Sequence, residues 1–233
     1  MQDFERRAER TADGSITLYI PEMDEHYHST NGAIIEALHV YVDAAFKNRL
    51  SKGQEQCLNL LEIGFGTGLN AFLTMLEAEK TNRKVSYTTL ELFPLSKDIT
   101  SQLNYAEQVV EMLGGDIDKL KELFDQIHNA AWNESVEITP FFTLEKRQID
   151  LTKESLTGDF DIVYYDAFAP DKQPDMWTED VVEKVCDRVN KGGVLTTYCA
   201  KGIVRRGFRD QGFLMERLPG PPGKREMIRG TKE

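Results

Sequence analysis

The sequence predicts an α/β fold: a Rossmann-like, mostly parallel sheet with an antiparallel strand pair at its C-terminal end and a small N-terminal hairpin extension. Three observations predict it. Short apolar runs alternate with segments of helical period, a glycine turn joins the first of these runs to a helix, and the last two apolar runs are separated only by a turn. Strands that alternate with helices must run parallel through right-handed crossovers, whereas two strands joined by a turn must be antiparallel.

The elements follow in order. SITLYI (15–20) alternates as a strand of the N-terminal hairpin. Ile34, Ile35, Leu38, Val42, Ala45 and Phe46 recur at helical spacing, with Ser29, Thr30 or Asn31 placed to cap the helix. CLNLLEI (57–63) is the first buried strand, and GFGTGLNAFLTMLEAEK (64–80) turns on glycines into a helix. VSYTTLEL (85–92) is the next strand, and Pro94 suits the first turn of the helix after it. Residues 95–132 read as mostly helical with a break at Gly114–Gly115. One strand is expected within 136–150, its limits blurred by Pro140. FDIVYYDAF (160–168) is apolar almost throughout, as a strand covered on both faces should be. A helix over 177–190 ends at Gly192–Gly193, VLTTYCA (194–200) is a strand, and 202–211 is helical. FLMERLP and REMIRG close the chain as two strands around the turn GPPGK. This order matches the class I methyltransferase sheet, in which a hairpin closes one edge.

The chain has 233 residues, a length suited to one domain over 1–233, and it shows no linker or repeat. A 40% hydrophobic and 29% charged composition is that of a globular protein. MQDFERRAER lacks the apolar core of a secretion signal, and no apolar run is long enough to cross a bilayer. Cys57, Cys186 and Cys199 stand far apart in apolar surroundings and read as buried free thiols, consistent with a cytoplasmic location. Neither His26 and His28 nor the cysteines have a third ligand at metal spacing, so no metal is expected. The net charge of −11 argues against a nucleic-acid partner, but it is unevenly spread. From Lys191 onward ten basic residues face four acidic ones, a local balance of +6 against −17 for residues 1–190. Such asymmetry points to an anionic partner at one end.

Candidate cofactor residues sit at strand ends. Gly64, Gly66 and Gly68 follow G-x-G-x-G spacing rather than the G-x-G-x-x-G of dinucleotide sites, and the acid Glu62 precedes them. S-adenosylmethionine carries an ammonium and a sulfonium but no phosphate, so an acid at this turn suits it, with Asn70 opening the helix beyond. Glu91 closes the second strand, where a carboxylate accepts ribose hydroxyls. Asp150 stands where such enzymes often contact the adenine amino group. Asp166 stands at the C-terminal end of the strand read over 160–168, at the edge where doubly wound sheets bind ligands. A carboxylate there can orient an attacking amine and take its proton. Phe168 and Trp177 are candidates to stack on an extruded base, with Lys172 and Asp175 shaping the pocket. Arg205 and Arg209 share a helix face with Arg206 beside them, a candidate phosphate-docking surface.

Tyr165-Asp166-Ala167-Phe168-Ala169-Pro170-Asp171-Lys172-Gln173-Pro174-Asp175-Met176-Trp177 is far more specific than the glycine turn. Together with Gly64 to Asn70 and Gly223-Lys224-Arg225-Glu226-Met227, it resembles the methyltransferase that makes 5-methylaminomethyl-2-thiouridine in tRNA, the MnmC/MnmD family. Tyr27-His28-Ser29, Gly32-Ala33, Glu36 and the stretch Gly202 to Gly207 are also similar, so the resemblance runs from about residue 15 to 230. It implies methylation of the aminomethyl group of a wobble uridine in the tRNA anticodon region, and a role for Tyr27 at the site entrance. Many members also carry a flavin-dependent oxidase; this sequence shows no second glycine fingerprint, so no flavin domain is expected in the chain. Two alternatives remain open on the residues: a small-amine transferase of the polyamine-synthase type, and a non-catalytic Rossmann-like binding module.

Overall fold

The computed structural model describes residues 4–53 and 55–233; the first three residues of the charged N-terminal stretch lie outside it. The N-terminal extension is a three-stranded antiparallel sheet of β1 (Arg7–Arg10), β2 (Ile16–Ile20) and β3 (Glu25–His26), one strand more than the expected hairpin. The chain then enters α1 (Ala33–Ala37), continues through π-helical turns over Leu38–Lys47, and ends in α2 (Asn48–Lys52). Gly32, not Ser29, Thr30 or Asn31, precedes α1, and no side chain caps it. The Ser29 amide instead donates to the Glu36 carboxylate at 2.7 Å.

The main sheet comprises β4 (Cys57–Ile63), β5 (Lys84–Leu90), β6 (Ser135–Thr139), β7 (Phe142–Arg147), β8 (Phe160–Tyr165), β9 (Val189–Thr197), β10 (Phe213–Pro219) and β11 (Glu226–Lys232), ordered β10-β11-β9-β8-β4-β5-β7-β6. Strands β9, β8, β4, β5 and β7 pair in parallel; β6 and the β10–β11 hairpin are antiparallel. The single strand expected over 136–150 is thus a hairpin. Pro140, which has no N–H for a ladder, lies in its turn.

Helices cover both faces: α3 (Leu69–Thr81), α4 (Lys97–Thr100), α5 (Tyr105–Leu113), α6 (Ile117–Asn129), α7 (Glu179–Cys186) and α8 (Gly202–Asp210). Asp116 caps α6, accepting the amides of Asp118 and Lys119, a contact that stabilises such a helix start by about 1 kcal/mol. Pro94 stands before α4 rather than in its first turn, and α7 ends at Cys186, so Gly192 and Gly193 fall within β9. Two apolar cores follow from the period-two alternation of the strands. Leu58, Leu60, Ile162, Tyr164 and Val194 pack on one side; Leu61, Ile63, Val163, Tyr165 and Leu195 pack on the other. Cys186 and Cys199 are buried as expected, but Cys57 opens β4 in solvent. No helix among the described residues is long and apolar enough to cross a membrane.

The chain runs from β4 outward to β5 and β7, then returns to place β8 on the other side of β4. The β4/β8 boundary is therefore the topological switch point, and the crevice above it is where open α/β sheets bind ligands.

Candidate active site

A cavity of about 900 Å³ opens at that switch point, over the C-terminal ends of β4, β5, β7 and β8. It is large enough for a nucleoside-sized cofactor and part of an acceptor. Gly64 and Gly66 line it with left-handed backbone, φ +93° and +50°. A Cβ at Gly64 would stand 2.9 Å from the Asp166 carbonyl oxygen, and one at Gly66 would stand 3.1 Å from the Tyr27 ring. The turn thus excludes side chains for two reasons, conformation and space. Gly68 starts α3 at φ +74°, outside the cavity lining.

Glu91 follows β5 and lines the cavity. Its Oε2 accepts the Gly66 amide at 3.1 Å and its Oε1 the Phe93 amide at 2.8 Å. One lone pair per oxygen remains for a ligand, the arrangement expected for a carboxylate that takes two hydroxyls. Asp150 also lines the cavity; its Oδ1 accepts the Thr152 amide at 3.1 Å and its Oδ2 meets Lys153 at 2.8 Å. Hydrogen bonds from Lys153 and Thr152 hold its carboxyl below the usual range. The acids at the ends of β5 and β7 and the glycine turn therefore fit a nucleoside.

Asp166 also lines the cavity, directly after β8 and across β4 from β5 and β7. Tyr41 donates to its Oδ1, and Asn70 Nδ2 donates to its Oδ2 at 2.8 Å. Burial pushes the carboxyl up to about 7, with the Tyr41 and Asn70 hydrogen bonds pulling against that rise. A carboxyl poised there exchanges a proton readily near neutral pH. Glu62 departs from expectation. It is fully buried, lines no part of the cavity, and takes a 2.7 Å hydrogen bond from Thr89. Burial pushes it up to about 8. A carboxyl in that setting is neutral at pH 7 and cannot supply the charge expected of it.

Tyr27 and Phe168 meet edge to face with ring centroids 5.2 Å apart, and both line the cavity. Arg6 Nε donates to the Tyr27 hydroxyl at 3.1 Å. Lys172 lines it too, its Nζ donating to the Met23 carbonyl at 2.8 Å and so tying the loop after β8 to the N-terminal sheet. Asp175 reaches the cavity from the exposed rim. Trp177 does not line it. Its indole donates to the Phe168 carbonyl at 2.8 Å and its ring packs on Tyr165, so it anchors the loop that carries Phe168.

Arg205, Arg206 and Arg209 lie on α8 and do not line the cavity either. Arg206 and Arg209 are exposed, and Arg209 pairs with Asp210 at 2.9 Å. Lys201, before α8, pairs with Asp171 of the loop after β8, which places the start of α8 beside the cavity rim. Much of the basic tail is internally paired as well: Lys224 with Glu36, Arg217 with Glu226, and Arg229 with Glu216.

Sequence reasoning missed Tyr41, Glu36, Tyr198 and Lys224. Tyr41 lies on the helical face read as core, while the other three line the cavity. Glu36 and Lys224 lay within stretches carrying the resemblance, the one signal available. His28 forms part of the wall, and His128 lies behind the glycine turn outside the cavity lining. His28 Nε2 lies 2.7 Å from Thr67 Oγ1, and His128 Nε2 lies 3.1 Å from the Thr67 carbonyl. Burial lowers both to about 4, so both are neutral props for the glycine turn at pH 7. Among the described residues no cluster of His, Cys, Asp and Glu could hold a metal ion.

Residues 118–233 match a family described as S-adenosyl-L-methionine-dependent methyltransferase. The chain is 28% identical over 217 residues, 91% of its length, to the tRNA 5-methylaminomethyl-2-thiouridine biosynthesis bifunctional protein MnmC of Delftia acidovorans, and covers 33% of that protein. It is 29% identical over 214 residues, 90% of its length, to the protein of the same name from Cupriavidus necator, and covers 32% of it. The chain thus spans about a third of the length of these relatives. In structure it is similar to MNMC2 from Aquifex aeolicus, with a TM-score of 0.75, 22% identity, and coverage of 98% of this chain and 71% of that one. It is also similar to spermidine synthase from Thermotoga maritima, with a TM-score of 0.54, 11% identity, and coverage of 100% and 83%. Both likenesses concern the fold alone, a Rossmann-like α/β architecture.

Proposed function

We propose, starting from the S-adenosyl-L-methionine-dependent methyltransferase family that residues 118–233 match, that the chain methylates the aminomethyl group of a 5-aminomethyluridine, with or without a 2-thio group, at the wobble position of tRNA. Residues 1–233 act as one domain in this reading, in the cytoplasm, where the tRNA is. The observation that carries it is the placement of Asp166, with a carboxyl near 7, in the same cavity as Glu91 and Asp150 and across β4 from them.

Glu91, Asp150, Gly64 and Gly66 would hold the cofactor, which supplies the activated methyl group when bound. The chain's own residues then do three things. Tyr41 and Asn70 each hold one oxygen of Asp166, which fixes the carboxyl in the cavity lining. The carboxylate accepts a hydrogen from the incoming amine, which must be neutral to attack, and takes its proton as the N–C bond forms. Tyr27 and Phe168 offer the apolar wall against which a base extruded from RNA is held. The exposed basic residues of α8, beside the rim, would contact the phosphates of the anticodon region.

The name shared by the Delftia and Cupriavidus relatives supports this substrate over a polyamine, as does the aromatic wall beside Asp166. Incubation with undermodified tRNA and labelled cofactor, followed by mass spectrometry of the wobble nucleoside, tests it. Methylaminomethyluridine is the expected product. Label on spermidine or putrescine, with none on tRNA, overturns the reading.

A further inference from the structure

We propose that Lys224 selects the acceptor base, donating a hydrogen bond to the ring carbonyl oxygen that lies beside the amine received by Asp166. This rests on the function proposed above and names the part of the base that the site reads.

Lys224 lies in the turn between β10 and β11 and reaches the cavity wall. Its Nζ donates to Glu36 Oε1 at 2.6 Å and lies 4.0 Å from the centre of the Tyr198 ring. Glu36 is nearly enclosed, with 8% of its side chain exposed against 32% for Lys224, and its other oxygen already accepts the Ser29 amide. The Tyr198 hydroxyl donates to the carbonyl of Ala167, the residue after Asp166, at 3.0 Å. Glu36 and Tyr198 thus fix the ammonium from two sides, and the Tyr198 hydroxyl ties that arrangement to the residue after the general base. An ammonium has three donors and no acceptor. One is given to Glu36, and the aromatic face takes part of the charge. The remaining donor capacity opens on the same cavity as Asp166.

The chemistry of the acceptor matches this pair. In 5-aminomethyluracil the C4 carbonyl is on the ring atom next to the one that bears the aminomethyl group, so amine and carbonyl oxygen project to the same side. A carboxylate for the amine and a cationic donor for the oxygen read both. Cytosine presents an amino group at that position, which an ammonium cannot accept, and a polyamine presents nothing there. Buried polar groups left unpaired by the wrong ligand are the strongest source of such discrimination.

The test uses two anticodon stem-loop RNAs, identical except for 5-aminomethyluridine or 5-aminomethylcytidine at the wobble position. The unaltered protein should favour the uridine RNA in kcat/KM by roughly tenfold to a hundredfold, the range for a charged hydrogen bond. Lys224→Met should lose most of that factor on the uridine RNA and little on the cytidine RNA. Lys224→Gln, which both donates and accepts, should move the preference toward cytidine. Calorimetric cofactor affinity, unchanged in both variants, confirms the folded state. An equal loss on both RNAs in the variants, or an unaltered protein that does not discriminate, overturns the proposal and leaves Lys224 as a prop for Glu36. Transfer to neither RNA by the unaltered protein overturns the function reading, and this inference with it.

Discussion

Replacing Glu62 by Gln isolates a charge that the fold has suppressed. The carboxyl is fully buried, and burial lifts it from 4.5 in the open chain to about 8. An acid whose folded value is raised binds more protons folded than unfolded, so its contribution to stability is full at low pH and declines as pH rises from 4.5 toward 8. Linkage over that span gives a loss of at most about 3.5 kcal/mol between pH 5 and pH 8. Gln keeps the shape and cannot ionise. Urea melts of both proteins from pH 5 to pH 9 should therefore diverge, the variant gaining on the parent by about 1–3 kcal/mol at pH 8 and little at pH 5. The difference between the two proteins cancels groups common to both, such as His28 and His128, whose lowered values act in the opposite sense below pH 6.5. An offset constant across this range would refute the reasoning. Cofactor affinity should be unmoved, because Glu62 does not line the cavity; a tenfold loss would return it to the ligand shell.

Asp166→Asn should leave cofactor binding nearly intact and slow methyl transfer by roughly a hundredfold or more, with loss of the acid limb near pH 7 from the pH–rate profile. That limb rises with pH in the parent because the base must be ionised; turnover retained at saturating tRNA would remove Asp166 from this role. Glu91→Ala should weaken cofactor binding by about 1–3 kcal/mol, read by calorimetry, and an equal effect on an analogue without ribose hydroxyls would contradict the assignment. Reversal of Arg205 and Arg206 to Glu should raise the KM for tRNA and flatten its salt dependence at constant cofactor affinity. A lowered melting temperature with an unmoved KM would show instead that the pair only holds α8.

The glycine turn, the acids after β5 and β7, and Asp166 were legible in the sequence because each is bound to a strand end, and strand ends are where this sheet collects ligands. Glu62 shows where that logic stops. It shares the parity of Leu58 and Leu60 on β4, whose side chains enter the core, so alternation turns it inward although its neighbour Gly64 faces the cavity. Trp177 was placed beside the right loop, but its indole N–H is spent on the Phe168 carbonyl. Tyr41 carried no local signal, and Glu36 and Lys224 carried only that of the stretches on which the resemblance rests. Helical period marks Tyr41 as buried without saying that its hydroxyl meets Asp166, 125 residues away. Charge counting saw Lys224 as one of ten tail cations, whereas the strand pairing of β11 with β9 brings its turn to the cavity edge.

The Lys224–Glu36 pair joins residues 188 positions apart. Contacts of such separation close late, since the chain between them must be ordered first. During synthesis the glycine cradle emerges with β4 and α3, long before the hairpin that delivers Lys224. The cavity is therefore walled in stages, its glycine turn made early and its Lys224 edge last. The part of the cavity wall that Lys224 contributes is thus completed only when β10 and β11 pair, after every other strand of the sheet has been made.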